Sequence, residues 1–279
     1  MTTHLEWSIG DVKVTRVEER VIPIPWAALV PGGEQHIDAC RPWMEPFITE
    51  TGSHFLLSVH SFVVQTPENL IVVDTCVGDT DEFQLPGDPG FGERLALALS
   101  GGLDGVDVVV CTHLHFDHVG WNTVEVEGQR RPRFANARYL VSADEMRADR
   151  DEEDTASYMR SVEPLRVAGV LDEVALEHRI DEWVALEPSV GHTPGHVSVR
   201  ITSDEQVAVI TGDFIHTPLQ FAHPEASSNP DHDKAQATAT RERYVTELAN
   251  TETLVLGSHF APPTSGKIKQ NQGKTTFQS

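Results

Sequence analysis

Residues 108–121 read VVVCTHLHFDHVGW and combine an apolar run with a dense group of polar side chains. The apolar part predicts a buried β-strand, since a short β-branched run is typical of a strand covered on both faces. Three histidines and an aspartate follow within six residues: His113, His115, Asp117 and His118. A strand that ends in a loop can present residues i, i+2 and i+4 on one side. Because neutral imidazoles and carboxylates suit zinc and similar divalent metals, this segment predicts a metal site.

Four donors from one segment do not complete two metal sites, so further ligands must come from elsewhere. Three candidates stand just beyond predicted strand ends: His192 in VGHTPGH, Asp213 in ITGDF and His259 in VLGSHF. Loops at strand ends usually carry function on a rigid scaffold. We therefore expect these side chains to converge on the first group.

The rest of the chain alternates strand patterns with helical ones. Strand patterns cover residues 11–19, 55–66, 69–75, 106–112, 137–142, 183–190, 196–203, 206–212 and 253–260. Helical patterns, of which the second is very acidic, cover residues 91–100, 143–165 and 231–250. With no internal repeat, we expect one α/β domain over residues 1–279, built from stacked sheets flanked by helices.

Two segments, residues 21–52 and 217–233, fit no regular element and are rich in proline. Long irregular segments inside compact domains tend to be lids or binding loops. We expect an N-terminal extension or lid over residues 20–52, with a surface excursion packed by its own side chains as the alternative. Aromatic side chains are candidates for an apolar entrance, although loop aromatics more often only pack: Trp26, Trp43, Phe47, Trp121 and Phe221.

The charge balance argues against several classes of partner. Acidic residues number 43 against 21 basic ones, which leaves a net charge of −22 with neutral histidines. Such a surface repels nucleic acid and anionic lipid. No stretch of about 20 residues stays apolar, which argues against a membrane span. The N-terminus lacks signal-peptide features. The three cysteines form no CxxC pair, which is typical of reduced thiols. We expect a cytoplasmic protein with a small-molecule substrate and no nucleic-acid or membrane partner, and leave a homodimer open.

Taken together, the motifs resemble those of the metallo-β-lactamase superfamily. The matching residues are THLHFDH, GHTPGH, TGD and GSHF, in the family's order, with VVDT upstream. The resemblance covers nearly the whole chain from about residue 52. It implies an αβ/βα sandwich of two mixed β-sheets with helices on the outer faces and a site in a cleft at one edge. It also implies two divalent metal ions, with zinc expected and manganese, cobalt or iron also compatible with the ligands.

This resemblance assigns a role to each of the metal-ligand candidates. The first metal would be held by His113, His115 and His192. The second metal would be held by Asp117, His118 and His259. Both metals would be bridged by Asp213. All of these positions carry the expected residue types, which argues against a degraded, non-catalytic relative.

Other motif residues would act around the metals. Asp74 of VVDT would brace the ligands from behind, with a turn-capping aspartate as the alternative. His196 would be a neighbour of the ligands with a structural role. In related lactonases a tyrosine three residues after the bridging aspartate helps to hold the substrate carbonyl, and here that position is His216. This histidine would donate a hydrogen bond to a developing oxyanion, or else be a solvent-facing loop residue.

Two divalent ions about 3.5–4 Å apart lower the pKa of a water between them to about 7, so we expect hydrolysis by a metal-bridging hydroxide. Asp117 or Asp213 would pass a proton to the leaving group. GDFIHTPLQF and GSHFAPP resemble methyl-parathion hydrolase and, more broadly, N-acyl-homoserine lactonases. We expect a lactone or carboxyl ester as substrate, then a phosphotriester, then a β-lactam.

Two functions from other classes are alternatives to hydrolysis. Diiron redox members of the superfamily usually replace His115 by glutamate and add a flavin domain, and neither feature is present. A non-catalytic metal-binding protein is disfavoured because structural zinc sites are closed and often cysteine-rich.

Overall fold

Two seven-stranded β-sheets and a separate hairpin make up the β-structure of the computed structural model, which describes residues 4–79, 87–151 and 156–279. The first sheet comprises β1 (Leu5–Ile9), β2 (Val12–Pro25), β3 (His54–Gln65), β4 (Leu70–Val73), β5 (Val108–Val110), β8 (Arg138–Ser142) and β9 (Leu171–Val174). The hairpin comprises β6 (Thr123–Val126) and β7 (Gln129–Pro132). In the first sheet β1 to β4 pair antiparallel, whereas β4, β5, β8 and β9 are parallel neighbours.

The second sheet contains the C-terminal strands. These are β10 (His178–Arg179), β11 (Val184–Pro188), β12 (Val197–Ser203), β13 (Gln206–Ile210), β14 (Leu254–Leu256), β15 (Ser265–Asn271) and β16 (Lys274–Gln278). They lie in chain order across the sheet. Only the β13–β14 pair among these described strands is parallel.

Helices cover the outer faces of both sheets. Those in the described residues are α1 (Trp26–Leu29), α2 (Ile37–Met44), α3 (Phe91–Ala98), α4 (Phe116–Val119), α5 (Ala143–Asp151), α6 (Ala156–Ser161), α7 (Glu163–Ala168), α8 (Leu219–Ala222) and α9 (Lys234–Leu248). The longest, α9, begins after Asp233, whose carboxylate accepts a hydrogen bond from the Gln236 amide at 2.9 Å and so caps the helix. None of these helices combines the length and apolarity that crossing a bilayer needs.

Apolar clusters between the sheets and on their outer faces hold this arrangement together. Between the sheets, Phe62 and Val110 of the first sheet pack in one cluster with Ile210 of the second. A second cluster joins the outer face of the first sheet to α3 and α7. A third joins the outer face of the second sheet to α1, α2, α8 and α9. The predicted sandwich of two mixed sheets with outer helices is therefore confirmed.

Residues 21–52 are more regular than the sequence predicts. β2 continues to Pro25 and pairs with β3 as far as His54. Its prolines are tolerated because β1 pairs with β2 only up to Arg16, which leaves the later part of β2 with one neighbouring strand. Short helices then follow to Phe47. The prediction that this segment is irregular is wrong for most of its length.

Other differences occur at helix and strand boundaries. The helical pattern predicted over residues 143–165 corresponds to α5, α6 and α7, and its residues 152–155 lie outside the described residues. Pro164 in the first turn of α7 explains why α6 and α7 are separate helices, because proline has no backbone N–H to continue α6 and its ring crowds the preceding turn. The strand predicted at 253–260 ends at Leu256, and β15 and β16 after it were missed. Residues 265–278 carry only two aliphatic or aromatic side chains, Ile268 and Phe277, which gives a weak strand signal.

Candidate metal centre

The predicted site residues meet because the strands before them end side by side. β4 and β5 are parallel neighbours in the first sheet, and β13 and β14 are parallel neighbours in the second. Carboxyl ends of parallel neighbours lie at the same edge of a sheet. Asp74 and His113 follow the first pair, and Asp213 and His259 follow the second. The two edges are joined by a backbone hydrogen bond of 3.0 Å from the Ser58 amide to the His259 carbonyl.

Three histidines from two loops form the first cluster. His113 and His115 follow β5, and His192 lies in the loop between β11 and β12. Nδ1 of His115 is 3.0 Å from Nε2 of His113 and 2.9 Å from Nε2 of His192. Two nitrogens on one tetrahedral zinc ion lie about 3.3 Å apart, since each Zn–N bond is about 2.0–2.1 Å. These spacings fit a shared metal ion.

Asp117, His118 and His259 form the second cluster. The Nε2 atoms of the two histidines are 3.2 Å apart. Asp117 places one carboxylate oxygen 3.6 Å from His259 Nε2 and the other 3.9 Å from His118 Nε2. The Asp117 side chain is 16 % exposed, against 3 % or less for the two histidines. Asp117 is therefore the member of this cluster that solvent reaches.

Asp213 lies between the two clusters. Its Oδ1 is 3.2 Å from Nε2 of His118 and 3.0 Å from Nε2 of His259. Its Oδ2 is 3.5 Å from Nε2 of His192 and 3.9 Å from Nε2 of His113. One carboxylate thus reaches histidines of both clusters, and the structure brings all seven predicted ligands together.

The hydrogen bonds made by Nδ1 of His118 and His259 indicate whether the second cluster fits a metal ion. Nδ1 of His118 donates to Asp74 Oδ2 at 2.8 Å, and Nδ1 of His259 donates to the Ser58 carbonyl at 2.8 Å. In neutral rings, Nε2 of both histidines then carries a lone pair that faces Asp213 Oδ1, a buried atom that makes no hydrogen bond. Lone pairs that face a carboxylate repel it unless a cation lies between them. The donor set therefore fits divalent cations.

Histidine pKa values are lowered in the first cluster and raised in the second. Burial, assisted by neighbouring imidazoles, lowers the pKa of His113 well below its ordinary value and that of His115 to about 3. Both rings are thus neutral, which is the form that binds metals. Burial also opposes charge on His118 and His259, but nearby carboxylates, Asp213 foremost, raise the pKa of both. The second cluster consequently favours a positive charge, supplied by protons or by a metal ion.

Asp74 and His196 lie behind the ligands, as the sequence predicts. Besides binding His118, the Asp74 carboxylate accepts hydrogen bonds from the Thr112 amide and hydroxyl, both at 2.8 Å. It therefore fixes the start of the histidine segment. His196 accepts a hydrogen bond from the Asp213 amide at 2.7 Å and pairs through Nδ1 with the Ser189 hydroxyl at 2.7 Å. His196 thus holds the backbone of Asp213.

Asp231, in the segment predicted to be irregular, is a site residue that the sequence patterns do not reveal. Asp231 Oδ1 accepts a hydrogen bond from His192 Nδ1 at 3.0 Å. Its Oδ2 accepts bonds from the Ser228 amide at 2.9 Å and from Arg241 at 3.2 Å. The bond turns His192 so that Nε2 faces the cluster. No spacing rule links an aspartate to a histidine 39 residues earlier, so the sequence gives no signal for it.

His216 lies against Asp213 and is only 2 % exposed, so the solvent-facing alternative is wrong. Its Nε2 is 3.2 Å from Asp213 Oδ2, and its Nδ1 is 2.8 Å from the Ser228 hydroxyl. A lone pair facing the carboxylate would be repelled, so Nε2 carries the hydrogen and donates to Asp213. The backbone amide of His216 donates to Gln220 at 2.8 Å, which fixes the loop.

The aromatic residues predicted to form an entrance pack in the interior instead. Trp26, Phe47 and Phe221 are 2 % exposed or less and share one cluster with Phe277 of β16, against which Trp43 also packs. Trp121 is 8 % exposed and donates to a buried carboxylate, that of Glu19, at 2.7 Å. The entrance prediction is wrong for the four buried residues, which pack in the interior as the alternative states. Phe277 of the missed strand β16 is the aromatic partner of Phe47 and Phe221.

The two-sheet scaffold with histidine-bearing loops at one edge corresponds to a known family. The family model for the metallo-beta-lactamase superfamily matches residues 54–259, which span His113 to His259. This chain therefore belongs to the metallo-beta-lactamase superfamily. No curated protein is significantly similar to it in sequence.

Several solved structures share the fold along nearly the whole chain. A crystal structure described as hydrolase AbOPH of the beta-lactamase superfamily has a TM-score of 0.83 at 21 % identity, covering 100 % of this chain and 97 % of that one. AidC, described as a dizinc quorum-quenching lactonase in complex with a product, has a TM-score of 0.78 at 20 % identity, covering 98 % and 96 %. A probable metal-dependent hydrolase from Staphylococcus aureus has a TM-score of 0.74 at 19 % identity, covering 98 % and 99 %. At such identities the likeness shows the fold alone.

Proposed function

We propose that this protein is a dinuclear metal-dependent hydrolase that cleaves a lactone or carboxyl ester in a small molecule. The observation that carries the proposal is the position of Asp213, whose two oxygens face histidines of both clusters. The first metal would be held by His113, His115 and His192. The second would be held by Asp117, His118 and His259. Zinc is the expected metal, because the ligands are imidazoles and carboxylates.

Two bound divalent ions would lower the pKa of a water between them to about 7 and polarise the substrate's electrophilic oxygen. The protein's own residues would orient the ligands and move protons. Asp117 has the most exposed side chain of the second cluster, so it is best placed to pass a proton to the leaving group. His216 donates to Asp213 through Nε2 and lies outside the seven ligands. The same Nε2–H group would turn from Asp213 to an oxyanion that forms beside that carboxylate, and would donate its hydrogen bond there instead.

Two observations support an ester-type substrate that is neutral. AidC, which shares the fold, is described with the product N-hexanoyl-L-homoserine. The net charge of −22 disfavours anionic substrates. A separate observation supports catalysis. The seven proposed ligands are histidines and aspartates without a cysteine, and this composition favours an open catalytic metal site over a closed structural one.

Metal analysis combined with a turnover screen tests the proposal. We expect two metal ions per chain, and turnover of lactones or aryl esters that chelation abolishes and added zinc restores. His113→Ala should lose a metal ion and activity, whereas His178→Ala, which alters a histidine of β10, should lose neither. Faster turnover of phosphotriesters or β-lactams would contradict the substrate class. Iron with oxygen uptake, or bound metal without turnover, would contradict hydrolysis itself.

A further inference from the structure

The Glu145 carboxylate joins the two loops that carry the first histidine cluster. Glu145 lies in the first turn of α5 and is 4 % exposed. Its Oε1 accepts a hydrogen bond from the Leu114 amide at 3.1 Å. Its Oε2 accepts bonds from the Thr193 hydroxyl at 2.7 Å and from the Gly195 amide at 2.9 Å. One side chain thus satisfies three donors from two loops.

Two of these donors are next to a proposed ligand, and Gly195 lies three residues after His192. Leu114 stands between His113 and His115, and Thr193 directly follows His192. The two loops come from different sheets, so no continuous strand fixes the distance between them. A displacement of one loop would separate His192 from His115, whose facing nitrogens are 2.9 Å apart.

The second loop is pressed directly onto the start of α5. A Cβ atom on Gly195 would lie 1.9 Å from the backbone nitrogen of Glu145, so only glycine fits there. The Ser142 hydroxyl donates to the Gly195 carbonyl at 2.6 Å and accepts from the Glu145 amide at 3.0 Å. The start of α5 is therefore a fixed support from which Glu145 reaches both loops.

Carboxylate chemistry suits this position better than an amide does. The three donors use both oxygens of Glu145. A glutamine has one acceptor oxygen, and its NH₂ group would face the donors of one loop. A buried donor that loses its acceptor keeps the full cost of its desolvation, which destabilises the folded state. Replacement by glutamine should therefore free one loop while it preserves the size of the side chain.

We infer that Glu145 is a positioning residue that sets the spacing of the first metal's ligands by clamping the Leu114 and Gly195 loops. This inference rests on the proposed function for the identity of the ligands. The clamp itself is a property of the metal-free chain. It acts on His113, His115 and His192, because its hydrogen bonds in the described residues go to the two loops that carry them.

Stepwise metal titration of Glu145→Gln tests the clamp, with the two binding steps assigned by His192→Ala and His259→Ala. We expect first-site affinity to fall about 10–100-fold, as is typical when a group that orients metal ligands is lost. Second-site affinity should change less than about threefold, a selectivity that general destabilisation would not produce. Asp144→Asn is the matched control, since it removes a charge from an adjacent, 41 % exposed side chain of the same helix. It should leave both steps unchanged.

Amide hydrogen exchange in the metal-free protein supplies a readout that does not depend on metal. Glu145→Gln should speed exchange at Leu114 or Gly195 at least tenfold. Unchanged exchange there, or equal weakening of both metal sites, would overturn the inference. If Glu145→Gln fails to fold, Thr193→Val, which removes one donor, should still weaken the first site selectively. Absence of metal binding in the unmodified protein would refute the proposed function, while exchange at the two amides would still decide the clamp.

Discussion

Asp231 holds His192 through a hydrogen bond of 3.0 Å between two side chains that are both fully buried. The carboxylate is itself paired with the buried guanidinium of Arg241. A buried, fixed acceptor at Nδ1 leaves Nε2 as the only nitrogen of His192 that can bind a metal. The segment 217–233 therefore orients a ligand of the metal centre, although it supplies none of the proposed ligands itself.

Asp231→Asn should weaken the first metal site about 10–100-fold, because an amide is a poorer acceptor for His192 and an unsuitable partner for Arg241. Competition with a chromophoric chelator measures this change. Asp233→Asn is a suitable control two residues away, since asparagine caps a helix about as well as aspartate. Equal metal affinities in the two variants would refute the role of Asp231.

Asp74→Asn should act on the second site instead. The carboxylate fixes the tautomer of His118 and holds Thr112, so its loss should reduce second-site affinity about 10–100-fold. Asp107→Asn is the control. Asp107 precedes β5 and accepts a hydrogen bond from the Leu70 amide at 2.8 Å, at the end of the β4–β5 pair opposite the metal centre. That control should keep both metal sites, and selective loss at the first site in Asp74→Asn would contradict the assignment.

Asp213→Asn should reduce turnover by orders of magnitude while the fold survives, because a neutral amide cannot balance two cations. Turnover and circular dichroism together measure the two effects. Asp181 is another buried aspartate, which binds Thr66 and Asn69 at 2.8 and 2.9 Å away from the metal centre. Asp181→Asn should lower thermal stability but keep turnover per folded molecule. Near-native turnover in Asp213→Asn would rule out a bridging role.

His216→Ala should lower kcat by about 10²–10³-fold with both metals retained, as expected for loss of one donor to an oxyanion. His216→Gln, which keeps an N–H donor, should recover part of that loss. Metal content and kcat measured on the same samples separate the possibilities. Loss of a metal ion in His216→Ala would show that the residue is a ligand, because its nitrogen lies close to Asp213 and His259.

Phe277→Ala should destabilise the protein by about 3–5 kcal/mol, since a fully buried ring is removed from an aromatic cluster. Denaturant unfolding gives the free energy. Leu97→Ala is the control, because Leu97 is 77 % exposed and its loss should change stability by less than about 0.5 kcal/mol. If Phe277→Ala lowered the free energy of unfolding by less than about 1 kcal/mol, the β15–β16 hairpin would not anchor the segment of residues 21–52.

The sequence predicts those parts of the fold whose signal is local. The apolar strand before His113 and the helix predicted over residues 231–250 both follow from short patterns, because β-branched runs and helix-forming residues act through neighbours in the chain. The histidine segment also gives a local signal, because four ligand-type residues within six positions have few other uses. The convergence of Asp213 and His259 on that segment follows from parallel strands ending together.

Other features depend on contacts that no local pattern encodes. β16 has Phe277 as its one buried side chain, and its place in the sheet is decided by packing against Phe47 and Phe221. Glu145 reads as one acid in an acidic helix, although its neighbour Asp144 is partly exposed and Glu145 is not. Burial distinguishes the two, and burial is set by the tertiary fold.

Crystals of the zinc-loaded protein, measured at the zinc absorption edge, test the central claim most directly. Two anomalous peaks about 3.5–4 Å apart, one on each side of the Asp213 carboxylate, are the result that a shared dinuclear centre predicts. A single peak within one histidine cluster, or peaks away from Asp213, would contradict it.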